Sequence, residues 1–338
     1  MKTNEDYIMR RALVTGGCGF IGSNLAKKLV DEGWVVDVVD NLCNGRLDSL
    51  KDVDSHVLIN ASFLKPYAES KKRDSNEVLI IQDDFASPHM LSYIAESNYD
   101  VVFHQAALPR VSYSVQNPTE TTVTNISATV ALFEACVNSV SRIVFASSSS
   151  VYGGADTMPT PESEAINPKS PYAWQKAAIE DFARMCYDLY NLDVVCLRYF
   201  NVFGPGQYGD SPYSTAVSAW CHATKEGIDL RSDGDGTQTR DMCYVDNVVS
   251  ANILAAGSTK TFAGKAYNVA CGEFNSNNEI LTYFKDNFNV SIKHAPWRPG
   301  DVMHTLADVS SAKKDFGYEP LVTFWEGLER TVKWWELE

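Results

Sequence analysis

Tyr172 and Lys176 stand four residues apart, just after Ser170-Pro171. On a helix, positions i and i+4 share a face, so the spacing brings an ammonium towards a phenol. That charge favours phenolate. Upstream, an apolar run ends in Ala146-Ser147-Ser148-Ser149-Ser150, and a serine hydroxyl at that point can share a substrate proton. Phenol, ammonium and hydroxyl together suit proton transfer at an alcohol carbon. Spacing alone is not diagnostic, since Tyr67 and Lys71 match it too. That second pair follows no strand and opens no long amphipathic helix.

A partner for such chemistry is written near the start of the chain. Ala12-Leu13-Val14-Thr15 runs into Gly16-Gly17-Cys18-Gly19-Phe20-Ile21-Gly22, a GxxGxxG turn between a strand and a helix. Gly16 permits the tight turn, Gly19 lets a pyrophosphate approach the backbone, and Gly22 lets helix and strand pack closely. The helix start then directs its N–H groups at the phosphates. Asp40 ends the next apolar run, eighteen residues after Gly22, where a carboxylate binds a ribose hydroxyl and repels a 2′-phosphate. The turn therefore predicts NAD rather than NADP, with Asp84-Phe85 as an adenine-side contact. The Lys176 charge, with an oxidised nicotinamide nearby, is expected to draw the Tyr172 pKa down towards neutrality. With that ring present, the phenol and ammonium fit hydride transfer coupled to proton transfer.

Positioning these groups calls for an α/β fold. Short β-branched runs at 12–14, 35–39, 78–81, 101–103, 143–146 and 194–197 predict strands covered on both faces. Helical patterns at 21–32, 118–138 and 172–190 lie between them, so the rhythm predicts a doubly wound parallel sheet of Rossmann type. Residues 62–77 are polar and predict a solvated loop. After Gly204 the texture loosens around helices near 213–226, 276–287 and 323–336, which predicts a smaller C-terminal α/β substrate domain. The expected division is 8–180 for the dinucleotide unit, with return segments near 192–204 and 238–270. The substrate unit takes 205–237 and 271–338.

Composition narrows the partners. The 338 residues carry 29 Lys and Arg against 43 Asp and Glu, a net charge of -14 that repels nucleic acid. No eighteen-residue apolar run predicts a membrane span, and MKTNEDYIMRR has no secretory h-region. Eight scattered cysteines without a CxxC pair predict free thiols and a cytoplasmic setting. Six histidines without HxxxH or HExxH spacing predict no metal site.

These motifs, with His104-Gln105-Ala106-Ala107, Arg198-Tyr199-Phe200-Asn201-Val202-Phe203-Gly204, Gly234-Asp235-Gly236 to Arg240-Asp241, and Arg298-Pro299-Gly300-Asp301, make the chain resemble extended short-chain dehydrogenase/reductases. Within them it is similar to the nucleotide-sugar 4-epimerases, above all those acting on UDP-N-acetylglucosamine. The resemblance spans nearly the whole chain. It implies that Ser148, Tyr172 and Lys176 carry the chemistry. The implied cofactor set is Gly16, Gly19, Phe20, Ile21, Gly22, Asp40, Asn41, Asp84 and Phe85. Gln105, Ala106, Ala107, Asn125 and Tyr199 join it, together with Tyr172 and Lys176. On the substrate side it implies Ser149, Asn201, Gln207, Arg231, Arg240, Arg298, Asp301 and Thr305.

Relatives that dehydrate sugars place Asp-Glu directly after the catalytic Thr or Ser, and decarboxylating relatives carry Glu at the second position. Here Ser149 and Ser150 stand there, and neither is a competent acid for those reactions. The resemblance thus implies 4-epimerisation through a transient 4-keto sugar, with no net redox and NAD retained. Thr305 occupies a gating position where a bulky Tyr excludes a 2-acetamido group, which points to UDP-GlcNAc and UDP-GalNAc, with UDP-glucose and UDP-galactose as further candidates. Two positions depart from the pattern: Arg231 stands where an aromatic commonly stacks on uracil, and Gly206 replaces a frequent Arg. Other activities of the scaffold stay open: a UDP-glucuronate 4-epimerase, although those usually carry Arg at Ser112, a 4,6-dehydratase or a reductase. A non-catalytic NAD sensor is a further alternative. The helices at 118–138 and 172–190, with Val130, Leu132, Phe133, Ile179, Phe182 and Met185, resemble a four-helix dimer interface and imply a homodimer.

Overall fold

The computed structural model describes residues 10–70, 76–97, 99–109, 111–209, 214–297 and 302–337. The apolar runs form β1 (Arg11–Thr15), β2 (Val35–Asp40), β3 (Ser55–Leu58), β4 (Val78–Gln82), β5 (Val101–His104), β6 (Arg142–Ser148) and β7 (Val194–Tyr199). With the strand Ala266–Val269 they make one parallel eight-stranded sheet in the order Ala266–Val269, β7, β6, β5, β1, β2, β4, β3. The winding reverses between β1 and β5, where strand ends leave a crevice for a ligand.

Alternating side chains explain why the runs are continuous. Ala12 and Val14 of β1, with Val36 and Val38 of β2, bury into one core under α1 (Phe20–Asp31) and the helix Val245–Gly257. Leu13 and Val39 point to the other face, where Phe133, Phe145 and Ile179 pack. Both faces are dry, so no polar alternation survives.

Two expectations need correction. Residues 62–77 are not simply a loop: the helix Leu64–Ser70 forms there, and Leu64 is buried. Leu64 and Tyr67 face the core there, too few apolar positions to give a period. The helix expected over 118–138 is Pro118–Thr122 and Thr129–Cys136 joined by a π turn, Val123–Ala128. Lys71, half of the rival Tyr-Lys pair, lies outside the described residues.

After β7 the chain builds small sheets: Val202–Phe203 beside Cys243–Tyr244, Leu230–Asp233 beside Ile292–Ala295, and Thr239–Arg240 beside Asn275–Ser276. The helices Ala216–Glu226, Asn277–Asn287 and Phe324–Trp334 cover them. Among the described residues no helix is long and apolar enough to cross a membrane. The eight cysteines are free thiols.

Candidate active site

The glycine turn is shaped by contacts that no side chain would fit. Gly16 has φ +67, and a β-carbon on it would meet the Cα of Ala106 at 2.8 Å. At Gly22 the added carbon would lie 2.2 Å from the Gly16 carbonyl oxygen. Gly19 caps α1 without a side-chain partner for the first turn, which leaves backbone N–H donors suited to phosphate.

Asp40 closes β2 and is buried. Its carboxylate accepts the N–H of Cys18 at 3.0 Å and of Leu42 at 2.8 Å, while burial raises its pKa. These groups open on a cavity of about 840 Å³ lined by Gly16, Gly19, Phe20, Ile21, Gly22, Asp40, Asn41, Phe85, Gln105, Ala106 and Ala107, with Arg46 and Gly206 to Tyr208 opposite. Size, glycine cradle, donors and the carboxylate at the end of β2 fit a dinucleotide.

Five residues of the expected cofactor set, Asp84, Asn125, Tyr172, Lys176 and Tyr199, are not among those that line this cavity. Asp84 is exposed, holding the Asn41 amide at 3.2 Å and the N–H of Ala86 at 2.8 Å. Asn125, in the π turn, accepts the N–H of Leu108 at 2.8 Å and donates to its carbonyl at 3.1 Å and to Gln175 at 2.8 Å. It therefore positions the cavity floor. The Tyr199 hydroxyl is buried in hydrogen bonds with Gln105 and Asn252.

The residues expected to carry the chemistry meet at the end of β6. The Ser148 hydroxyl accepts the N–H of Ser150 at 3.2 Å and its hydroxyl at 2.9 Å, and Ser149 opens the 3₁₀ turn that follows. Ser170 caps the helix Pro171–Tyr190, accepting from Ala173, with Pro171 in its first turn. The Tyr172 N–H donates to Ser114 at 3.0 Å, and its phenol meets Ser148. Lys176 is buried on the same helix face, its ammonium 5.8 Å from the Tyr172 ring centre.

The expected depression of the tyrosine pKa is not a property of these side chains. Burial pushes Tyr172 up to about 12, and the Ser148 contact only partly opposes it. Lys176 donates to the Ala146 carbonyl at 2.8 Å and lies 4.7 Å from the Phe145 ring centre, and burial pushes its own pKa down to about 7. Helical spacing placed the two side chains together correctly, but a backbone carbonyl captures the ammonium.

Sequence reasoning missed the frame around this trio. Gln175 joins the Asn125 amide to Thr121 at 3.0 Å. Glu180 accepts from Arg198 at 2.6 Å and from Ser147 at 2.5 Å, all buried. No signal short of the fold marks Gln175 or Glu180, because each is a common polar residue on a helix.

A second cavity of about 520 Å³ is lined by Asn201, Arg231, Arg240, Trp220 and Gln238 among others. The Arg231 Nε donates to Asp233 at 2.8 Å, while Arg240 donates to the carbonyls of Thr239 at 2.9 Å and Met303 at 3.2 Å. Thr305 accepts from Asn201 at 3.3 Å and from the N–H of Asp241 at 3.1 Å. Buried Asp241 gathers the N–H groups of Ala307, Cys271 and Gly272, and burial pushes it up to about 6. Gln207, expected at the substrate, borders the first cavity, but its amide is taken up by Val202, Thr215 and Ser218. Arg298 and Asp301 lie outside the described residues. Among the described residues no group of three or more His, Cys, Asp or Glu could hold a metal ion.

A glycine cradle at the switch point of a parallel sheet, with an acidic ribose site beside it, defines a dinucleotide-binding α/β protein. The profile of the NAD dependent epimerase/dehydratase family matches residues 12–270, and the chain belongs to that family. Its cofactor is NAD. A UDP-glucose 4-epimerase of Mycolicibacterium smegmatis is 32% identical over 96% of this chain and 97% of its own. A UDP-glucuronate 4-epimerase of Thermodesulfobacterium geofontis is 32% identical over 95% of each chain. The solved structure of a UDP-N-acetylglucosamine 4-epimerase from Methanobrevibacter ruminantium, in complex with UDP-N-acetylmuramic acid, superimposes with TM-score 0.85 at 36% identity, covering 97% of this chain and 98% of that one.

Proposed function

We propose that the protein is an NAD-dependent 4-epimerase interconverting UDP-GlcNAc and UDP-GalNAc. The observation that carries the reading is the Tyr172–Ser148 contact on a strand end followed by Ser149 and Ser150, not by acids. The buried carboxylate on the same helix, Glu180, is committed to Arg198 and Ser147 and is no acid for expelling water. Bound NAD supplies a reversible hydride acceptor. Tyr172 takes the proton from sugar O4 and later returns it, while Ser148 holds that oxygen by a hydrogen bond. Lys176 keeps a cationic group behind the phenol, and Asn125 with Gln175 fixes the helix against the cavity floor. Arg240, Arg298 and Asn201 hold the diphosphate, Asp301 takes the ribose of the nucleotide, and Arg231 covers the base. The division into a dinucleotide unit and a substrate unit belongs to the same proposal, as does a cytoplasmic setting for the free thiols.

The test is incubation of purified protein with UDP-GlcNAc and with UDP-glucose, without added NAD, followed by resolution of the C4 isomers. Isomer formation from the acetamido sugar supports the reading. Consumption of external NADH, loss of water, or neither reaction would replace it by a reductase, a dehydratase or a sensor.

Thr305 sets the sugar preference in this reading. Thr305→Tyr places a ring beside Asn201 and is expected to lower the ratio of UDP-GlcNAc to UDP-glucose activity by about tenfold or more, as a steric clash at a small pocket does. Thr305→Ser keeps the hydroxyl that Asn201 and Asp241 use, so its ratio should stay near that of the parent. An unchanged ratio in the tyrosine variant discards Thr305 as the gate.

A homodimer belongs to the proposal too. Leu132, Phe133 and Ile179 are core, but Trp174, Met185 and Leu189 of the Pro171–Tyr190 helix are 51%, 50% and 65% exposed, and Val123 in the π turn is 57% exposed. An apolar face of that kind marks an interface. Light scattering is expected to give twice the chain mass, and Met185→Glu with Trp174→Glu to give the single mass. A monomeric parent chain would refute it.

A further inference from the structure

The dinucleotide cavity is walled by two segments far apart in sequence, and they touch across its mouth. The Arg46 guanidinium carbon lies 4.0 Å from the centre of the Tyr208 ring. Trp334 meets Tyr208 edge-on, with ring centres 6.1 Å apart. Both Arg46 and Tyr208 line the cavity. The Arg46 N–H donates to the Cys18 carbonyl at 3.0 Å, which fixes this arm to the glycine turn. On the other arm, Asn24 of α1 donates to the Pro205 carbonyl at 3.0 Å. Gly206 has φ +90, and a β-carbon on it would lie 3.3 Å from the Asn24 amide nitrogen. The glycine that replaces a frequent arginine thus lets the 205–208 segment lie against the first turn of α1.

We propose that Arg46 and Tyr208 form a clasp that retains NAD between turnovers. The contact joins the ribose-side loop to the substrate-side segment, so the dinucleotide leaves only after the clasp opens. A cation over a ring face suits this task, because it joins the two arms and, with Arg46 exposed, breaks without leaving a buried charge. Trp334 backs the ring and keeps it facing the guanidinium. The inference rests on the family's cofactor and not on the sugar proposed above, so failure of the sugar assay leaves it standing.

The test follows NAD release from purified holoenzyme transferred to NAD-free buffer, by cofactor content of the filtrate and by exchange against a fluorescent NAD analogue. Tyr208→Leu and Arg46→Gln are each expected to release NAD about tenfold faster, the effect of an ordinary cation–π contact. The double variant should release it no faster than the faster single, since one contact is being removed twice. Tyr208→Phe keeps the ring and should release NAD at the parent rate. Parent-like release from both single variants overturns the clasp. Fully additive effects in the double variant overturn it as well, because they assign the two residues separate contacts with the cofactor. If Tyr208→Leu fails to fold, Arg46→Gln against Arg46→Lys decides: slow release from the glutamine variant refutes the proposal.

Discussion

Tyr172→Phe is expected to lower turnover by about a thousandfold, within the range for loss of a positioned proton carrier. The variant should retain its full complement of NAD. The reasoning is local. The ring is buried and the main chain is anchored by the Ser114 hydroxyl, so phenylalanine keeps the packing. Lys176 is held by the Ala146 carbonyl and not by the phenol, so it stays in place. The phenol is not among the groups lining the dinucleotide cavity, which separates binding from chemistry. Initial rates on the preferred sugar, together with cofactor content by absorbance, check both halves. Parent-like rates would refute Tyr172 as the proton carrier.

Glu180→Ala should destabilise the fold by about 3–5 kcal/mol, the cost of stranding a buried charge. Arg198 makes both Nε and Nη2 hydrogen bonds to this carboxylate, at 3.0 and 2.6 Å, and the two side chains are 5% and 2% exposed. The pair lies between β7 and the Pro171–Tyr190 helix, directly behind Lys176. Removing the acid leaves a guanidinium with the Tyr152 hydroxyl and the Glu162 carbonyl as remaining partners. Urea unfolding of the variant measures the loss. Replacing both members, Glu180→Leu with Arg198→Met, is expected to recover most of it. A single variant within about 1 kcal/mol of the parent would show that water reaches the site.

Legibility in the sequence followed burial and distance along the chain. The central strands were plain because each is dry on both faces, and the glycine turn was plain because its geometry admits no β-carbon. β3 escaped notice: Ser55, His56 and Val57 are exposed at the sheet edge, so neither apolar run nor alternation marks them. The helix Val245–Gly257 escaped for the opposite reason. It packs against both the sheet and the neighbouring α1 and buries Val248, Val249, Ala251, Asn252 and Ala255, which blurs its polar stripe. At the site, Tyr172, Lys176 and Ser148 could be named because motif spacing puts them together. The Glu180–Arg198 pair and the Arg46–Tyr208 contact join segments 18 and 162 residues apart, and only the folded chain shows them meeting. Spacing likewise gives neighbours but not the Ala146 carbonyl that draws the Lys176 ammonium away.

The π turn at Val123–Ala128 carries a consequence for how this segment can change over evolutionary time. Asn125 reaches Leu108 on one side and Gln175 on the other only at its present rotational setting. Each residue advances a helix by about 100°, so gaining or losing a single codon there would swing the amide away from both anchors. Descendants of this sequence are thus free to vary side chains along the outer face but are held to a fixed length between Pro118 and Cys136.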